Sequence, residues 1–243
     1  MNKLSTTARV TEVDDASDQL VTLYEKTTEV SNDAFLKGVF DEMRALSNQI
    51  TEAIRRDKAE SDLAEADTVR DEKIRQLSNI ITGYASMPIE TLANSGLALK
   101  VVFDRYGIGI VNENYASESS LIESLLLDFS AEGLRNDVEA LQGVPETLAA
   151  LRSAQDAFNQ ARLAYDEAKS HDRATTSASE IKRRLLNCIN GKMVAYLGAM
   201  AMSAPATYGE LARLADEEIA RINAIVSSRG KKAGKKTEDS NNS

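Results

Sequence analysis

The chain has 243 residues, a hydrophobic fraction of 42% and a formal net charge of −9. This composition is that of a globular protein rather than a disordered one, and the acidity argues against a folded nucleic-acid-binding surface, which needs clustered Lys and Arg. The single cysteine, Cys188, and the single histidine, His171, exclude an intrachain disulfide and make a closed zinc site or a Cys–His pair an unexpected feature.

Helical periodicity runs along almost the whole chain. It predicts an all-α fold of about eight to nine helices in one or two antiparallel bundles. The predicted helices cover residues 14–30, 33–57, 62–86, 88–105, 116–130, a short segment around 134–141, 145–170, 179–203 and a last helix that begins at Pro205.

The predicted helix over 33–57 has an apolar seam with alternating spacings of three and four residues. Such a seam favours packing against a neighbouring helix in an antiparallel bundle over an extended coiled coil. Asn32 or Asp33 can cap this helix, because a short polar side chain there satisfies free backbone donors. The seam consists of Leu36, Val39, Met43, Leu46, Ile50 and Ala53.

The segment 106–114, YGIGIVNEN, is the clearest predicted turn. It lacks the glycine pattern of a phosphate-binding loop and follows no predicted strand. The helix after it, 116–130, is expected to start with a capping box made by Ser117, Ser120 and Glu123.

We predict one helical domain over residues 1–227, with 14–130 and 131–227 as its halves. A long helix, a polar break and a second long helix recur in residues 36–84 and 145–193. This likeness favours an internal pseudo-repeat, although helix pairs also resemble one another for generic reasons.

The lysine-rich tail, residues 228–243, has too little apolar surface to offset the entropy cost of ordering, so we expect it to be disordered. Two interpretations are open: a solvated tail, or weak electrostatic contacts with anionic surfaces or nucleic acid through Lys231, Lys232, Lys235 and Lys236. No secretory signal and no transmembrane run is visible. A cytoplasmic location is therefore expected, with surface association left open.

Two charges lie on an apolar helical stripe in residues 62–86. At 100° per residue, Arg70 falls about 20° from Leu63, Asp67 lies on the same stripe, and Asp71 lies at its edge. A buried guanidinium needs partners, and Asp67 is within reach one turn earlier.

A second acceptor for Arg70 is expected from another helix, with Asp128 or Asp166 as candidates. Three interpretations follow for Asp67, Arg70, Asp71 and Asp128: a buried structural cluster that sets helix register, a partly open cluster at a bundle end, or an anion site centred on Arg70. The sequence predicts no catalytic, cofactor-binding or metal-binding residues.

Three stretches carry a family resemblance: LAEADTVRDEKIRQL (63–77), VVFDRYGIGIVNENYASESSLIESLLLDFS (101–130) and ALQGVPETLAALRSAQDAF (140–158). Over about residues 35–227 the chain resembles a family of helical Bacteroidota proteins of unknown function. It differs where relatives often have Trp near Val144 or Pro145, and Asn in place of Gln155. The resemblance implies an all-helical fold without established chemistry, and a surface or adhesion role because some relatives are labelled haemagglutinin B-like.

The leading functional hypothesis is a non-enzymatic interaction or scaffold protein, with a protein partner or self-association and no cofactor. One alternative is a haemagglutinin-like adhesion protein. The other is a helical ligand-binding protein or enzyme that uses Arg70 with Asp67 and Asp71, which requires Arg70 to be partly exposed.

Overall fold

Helices form the regular structure of the described chain, and no strand occurs within it, so the predicted all-α class is confirmed. The computed structural model describes residues 1–171 and 176–240, and for 171 and 230–240 it describes the backbone alone. The α-helices are α1 (Val10–Lys26), α2 (Ala34–Ala85), α3 (Glu90–Phe103), α4 (Tyr115–Phe129), α5 (Arg135–Ala140), α6 (Val144–His171), α7 (Ala178–Asn187), α8 (Val194–Ser203) and α9 (Pro205–Ser240). Shorter elements are 3₁₀ turns at Thr28–Val30, Ile108–Asn112 and Glu132–Leu134, and a π-helix at Cys188–Met193.

Helix α2 joins what the sequence divided into two helices, so the predicted break between 57 and 62 is wrong. The segment DKAESD contains neither Gly nor Pro, and Lys, Ala and Glu favour helix, so nothing there interrupts the backbone hydrogen bonds. At the other end, the predicted cap is confirmed for Asp33, whose Oδ1 accepts a hydrogen bond from the Leu36 amide at 3.0 Å.

The predicted capping box at the start of α4 is wrong. Asn114 caps this helix instead, and its Oδ1 accepts hydrogen bonds from the amides of Ala116 and Ser117 at 3.2 and 3.1 Å. Because the helix begins at Tyr115, Ser117 already lies inside its first turn and needs a cap rather than providing one.

The predicted helix over 179–203 is interrupted by the π-helix Cys188–Met193 between α7 and α8. Asn190 lies within this segment, and its side chain pairs with the backbone of Leu4. The Leu4 amide donates to Asn190 Oδ1 at 2.8 Å, and Asn190 Nδ2 donates to the Leu4 carbonyl at 2.9 Å. This contact ties the N-terminal segment to the helix, and the sequence pattern gave no sign of it.

The chain forms two compact units. Unit 1 consists of Met1–Arg56 and His171–Ser243, and unit 2 consists of Asp57–Ser170. Unit 1 therefore combines the two ends of the chain and differs in membership from the predicted halves 14–130 and 131–227. The predicted pseudo-repeat stays a prediction.

Unit 1 has its own apolar core, built from α1, the first part of α2, and α7 to α9. The whole predicted seam of α2, from Leu36 to Ala53, is buried in this core. Cys188 is buried there too, as expected for a small apolar side chain. Burial raises the pKa of the Cys188 thiol to about 11.

Unit 2 has a second core, formed by the last part of α2 with α3, α4, the start of α6 and the segments between them. Gly96 is required where α3 meets the end of α2, because a Cβ atom there would lie 2.5 Å from the backbone nitrogen of Ala85. Gly143 has a φ of 90°, which suits glycine and turns the chain into α6.

The predicted disordered tail overlaps the end of α9, whose helical backbone continues to Ser240. Residues 241–243 and the side chains of Lys231, Lys232, Lys235 and Lys236 lie outside the described residues, as does the side chain of His171. Disorder of the tail in solution stays a prediction. In the part of the chain that the structure describes, no helix combines the length and the apolar character needed to cross a bilayer.

Candidate functional site

The candidate site lies in unit 2, where three helices each contribute side chains from a single turn. Helix α2 provides Asp67, Arg70 and Asp71, which have i, i+3, i+4 spacing and so share one face. Arg70 is 0% exposed and is the largest fully buried side chain among the described residues. The structure therefore supports the interpretation in which Arg70, on the apolar stripe of this helix, is buried.

Helix α4 contributes Glu118 and Ser119, two consecutive residues near its N-terminal end. Glu118 is only 2% exposed, and Ile122, Leu125 and Phe129 continue its face into the apolar core. Tyr115 begins this face at the start of the helix. The stripe thus has a carboxylate at the position where its periodicity would place another apolar residue.

Helix α6 contributes Gln155, Phe158 and Asn159. Gln155 and Phe158 are both fully buried, and Gln155 Nε2 donates to Asn159 Oδ1 at 3.1 Å. The Phe158 ring lies against the guanidinium, with Arg70 Cζ 3.6 Å from the ring centroid. Tyr115 meets the same ring edge-on, at a centroid distance of 5.2 Å. Aromatic contact of this type stabilises a desolvated guanidinium.

Arg70 connects the three helices through its hydrogen bonds. Its Nη1 donates to Ser119 Oγ at 3.0 Å and to Gln155 Oε1 at 3.2 Å. Its Nη2 donates to Asp67 Oδ1 at 2.8 Å and to Glu118 Oε2 at 2.5 Å. We call Asp67, Arg70, Asp71, Glu118, Ser119 and Gln155 the Arg70 cluster. Only Nε of the guanidinium is without a hydrogen-bond partner.

Negative charge exceeds positive charge around Glu118. Burial raises the pKa of Glu118 to about 7, against the opposing effect of Arg70 and with further increases from Asp67 and Asp71. Asp71 in turn accepts a hydrogen bond from Arg75 through Oδ2 at 2.9 Å. A buried carboxyl group whose pKa is raised by desolvation and by neighbouring carboxylates makes this cluster the candidate functional site of unit 2.

The structure brings together three of the four predicted cluster residues and excludes Asp128. Asp128 is on α4, but it lies about 120° around the helix from Ile122 and so away from the buried stripe. Its Oδ2 instead accepts a hydrogen bond from the Tyr106 hydroxyl at 2.8 Å. The other candidate, Asp166, is exposed on α6. The second acceptor for Arg70 was therefore assigned to the wrong residue.

Glu118 is the acceptor that the sequence analysis missed. Its position four residues before Ile122 was a usable signal, because it puts a carboxylate on the buried face of α4. Gln155 gave a similar signal, since it occupies a stripe position between Leu151 and Phe158 on α6. The sequence could mark each as a buried polar residue, but it could not show that both contact the same guanidinium.

The geometry favours an internal polar network over a metal centre. In the described part of the chain, Asp67, Asp71 and Glu118 form one group in which an oxygen of each carboxylate lies within 4.8 Å of the others. A hard divalent cation takes six or more oxygen ligands, whereas these carboxylates already bind Arg70 and Arg75. The enclosed guanidinium likewise presents no open face to an anionic ligand.

Comparison with known proteins gives a family but no relative of known chemistry. A family model described as "Family of unknown function (DUF6261)" matches residues 60–217, which include the whole Arg70 cluster. No curated protein and no solved structure matches the chain. The match spans more than half of the 243 residues, and the chain is therefore a member of the DUF6261 family of unknown function.

Proposed function

We propose that this protein is a non-enzymatic interaction module and that the outward side of α3 is its contact surface. One observation carries the proposal: Leu97 and Val101 are apolar side chains one turn apart on α3, and both are exposed, by 49% and 61%. We call Leu97 and Val101, with the polar residues around them, the α3 outer face.

The two sides of α3 differ in their surroundings. Its inward side places Leu99, Val102 and Phe103 in the core of unit 2, so the helix is held to the unit without help from the α3 outer face. A helix that is apolar on both sides is ordinarily enclosed by protein. Single exposed apolar residues need no explanation, but adjacent ones form a patch that a partner can cover.

Polar residues border this patch. Glu90, Asn94, Lys100 and Asp104 surround Leu97 and Val101 at the angles of an ideal helix, and Lys100 Nζ lies 2.7 Å from Asp104 Oδ2. An apolar centre with a polar rim is the usual anatomy of a protein–protein interface. The partner that fits a convex helical stripe of this kind is an amphipathic helix of another protein.

Photo-crosslinking in the cell of origin tests the proposal. A photoreactive amino acid replaces Val101 in the full chain, and the control replaces Leu163, which is 63% exposed on α6. We expect a defined covalent adduct with a partner polypeptide from position 101, and its loss when Leu97→Glu is added. Equal adducts from both positions, or none from position 101, would contradict the proposal.

A catalytic function has less support. The ligand-binding or enzymatic alternative requires a partly exposed Arg70, but Arg70 is enclosed. The Cys188 thiol is buried as well. Nothing in the described residues supports the adhesion alternative, so neither alternative is proposed. A Bacteroidota source, haemagglutinin-like relatives, a cytoplasmic location and lysine-tail contacts stay predictions, and cell fractionation would check the location.

A further inference from the structure

Two buried carboxylate oxygens of the Arg70 cluster have no hydrogen-bond donor. They are Oε1 of Glu118 and Oδ1 of Asp71. The second oxygen of each group is bound, Glu118 Oε2 to Arg70 and Asp71 Oδ2 to Arg75. Buried acceptors without a donor are costly, so these two oxygens require either a proton or a cation.

The two carboxyl groups are neighbours. They belong to a group of three carboxylates in which one oxygen of each lies within 4.8 Å of the others. Two ionised carboxylates cannot hydrogen-bond to each other, because neither has a hydrogen to donate, whereas a proton on one of them supplies the missing donor.

Charge balance indicates one missing positive charge. The carboxylates of Asp67, Asp71 and Glu118 face two guanidinium groups, those of Arg70 and Arg75. One proton makes this set neutral, whereas a divalent cation would leave it positive. A buried set of charges is least costly when it is neutral and hydrogen-bonded.

We propose that Glu118 is protonated in the folded protein at and below neutral pH, and that its Oε1–H donates to Asp71 Oδ1. The proton serves both carboxylate oxygens of the Arg70 cluster that otherwise have no donor. Unit 2 therefore contains a proton site that links the packing of α2 and α4 to pH.

The surroundings of Glu118 agree with this assignment. Helix α2 presents Asp67, Arg70 and Asp71 to it, and α4 presents Tyr115. Helix α6 adds neutral groups only, those of Gln155, Phe158 and Asn159. Burial is the largest cause of the raised pKa of Glu118, at about 7 against 4.5 for an unperturbed glutamate.

The direction of the pH dependence follows from that difference. The folded state holds the proton more tightly than the unfolded chain, so the stabilisation is complete below the unfolded pKa. It is lost as pH rises from about 4.5 through about 7. Above that range Glu118 is ionised and is repelled by the neighbouring carboxylates.

Glu118→Gln in the full chain tests the proposal, because glutamine imitates protonated glutamate. Its amide NH₂ can donate to Asp71 while its Oε1 accepts from Arg70. Asp128→Asn makes the same chemical change on the same helix, at a carboxylate outside the cluster, and serves as the control. Thermal midpoints are measured by circular dichroism from pH 5 to pH 9.

We expect the wild-type midpoint to fall between pH 5 and pH 8, and the Glu118→Gln midpoint to change less and to exceed the wild type at pH 9. Asp128→Asn should keep the wild-type slope. Independently of any variant's folding, the wild type at pH 6 should show the infrared carbonyl band of a protonated carboxyl group, and this band should disappear as pH rises through about 7.

Three results would overturn the proposal. One is a Glu118→Gln protein with an unchanged pH slope and a lower midpoint at every pH. Another is the absence of the infrared band. The third is a rise of the wild-type midpoint at pH 7 on addition of Mg²⁺, Ca²⁺ or Mn²⁺ that Glu118→Gln abolishes, because a cation would then occupy the place assigned to the proton.

Discussion

Each unit contains a polar cluster, and the charges at the centres of the two clusters have opposite signs. In unit 2 a cation, Arg70, is fully enclosed and surrounded by acceptors from three helices. In unit 1 an anion, Asp33, lies at the start of α2 and accepts hydrogen bonds at 2.8 Å from the hydroxyls of Tyr196 and Tyr208. The first site pairs charges, and the second surrounds one charge with neutral donors.

This difference determines how much folding stability is lost when the central residue of each cluster is removed. Burial alone would raise the pKa of Asp33, but hydrogen bonds from the Leu36 amide and from Tyr196 and Tyr208 lower it below its usual value. If Asp33 is removed, it leaves neutral groups that water can reach. If Arg70 is removed, it leaves an enclosed set of carboxylates with one guanidinium fewer, so the penalty should be larger.

The largest expected effect is that of Arg70→Ala, which should lower the free energy of unfolding by about 3–5 kcal/mol. The reason is that Asp67 would lose its cationic partner, while the buried acceptors of Glu118 and Gln155 would lose the donor that they share. Urea unfolding monitored by circular dichroism measures this loss. Arg44→Ala is the matched control on the same helix, since Arg44 and its partner Glu25 are exposed, and it should cost about 0.5 kcal/mol or less. Equal losses for the two variants would remove the contrast between enclosed and exposed arginine.

An intermediate effect is expected for Asp33→Ala. Loss of the cap should cost about 0.5–2 kcal/mol at neutral pH, while Asn32→Ala, the other cap considered from the sequence, should cost almost nothing. Because the folded pKa of Asp33 is lowered, its stabilisation is present above the unfolded pKa of about 4 and is lost as pH falls through the folded value. The gap between wild type and Asp33→Ala should therefore close in acid; a gap that widened there would refute this account.

The smallest effect is expected for Asp128→Ala. The Asp128 side chain is 39% exposed and lies 4.0 Å from Arg105, and its one close hydrogen bond comes from Tyr106. Unfolding in urea should show a loss of about 1 kcal/mol or less. A loss as large as that of Arg70→Ala would mean that Asp128 belongs to the Arg70 cluster after all.

Periodicity and local chemistry explain the parts of this fold that could be predicted from the sequence. Apolar spacing predicted the helices and the buried seam of α2, the short side chain of Asp33 predicted its cap, and the position of Arg70 on a stripe predicted a buried charge paired with Asp67. Each of these depends on residues within one or two turns of each other, so the sequence contains all the information needed.

Tertiary structure decided which distant residues meet. Glu118, Ser119 and Gln155 reach Arg70 from other helices, 48, 49 and 85 residues along the chain. Local spacing places Glu118 on the buried face of α4, but it does not show which residue of another helix that face meets. The same holds for the pairing of Asn190 with Leu4 and for the close approach of Gly96 to Ala85. The sequence alone therefore determined that the protein is helical and that Arg70 lies on an apolar stripe, and the structure showed that this charge is enclosed. The packing of helices determined which partners satisfy that charge, because hydrogen bonds depend on distances of about 3 Å that one-dimensional spacing does not specify.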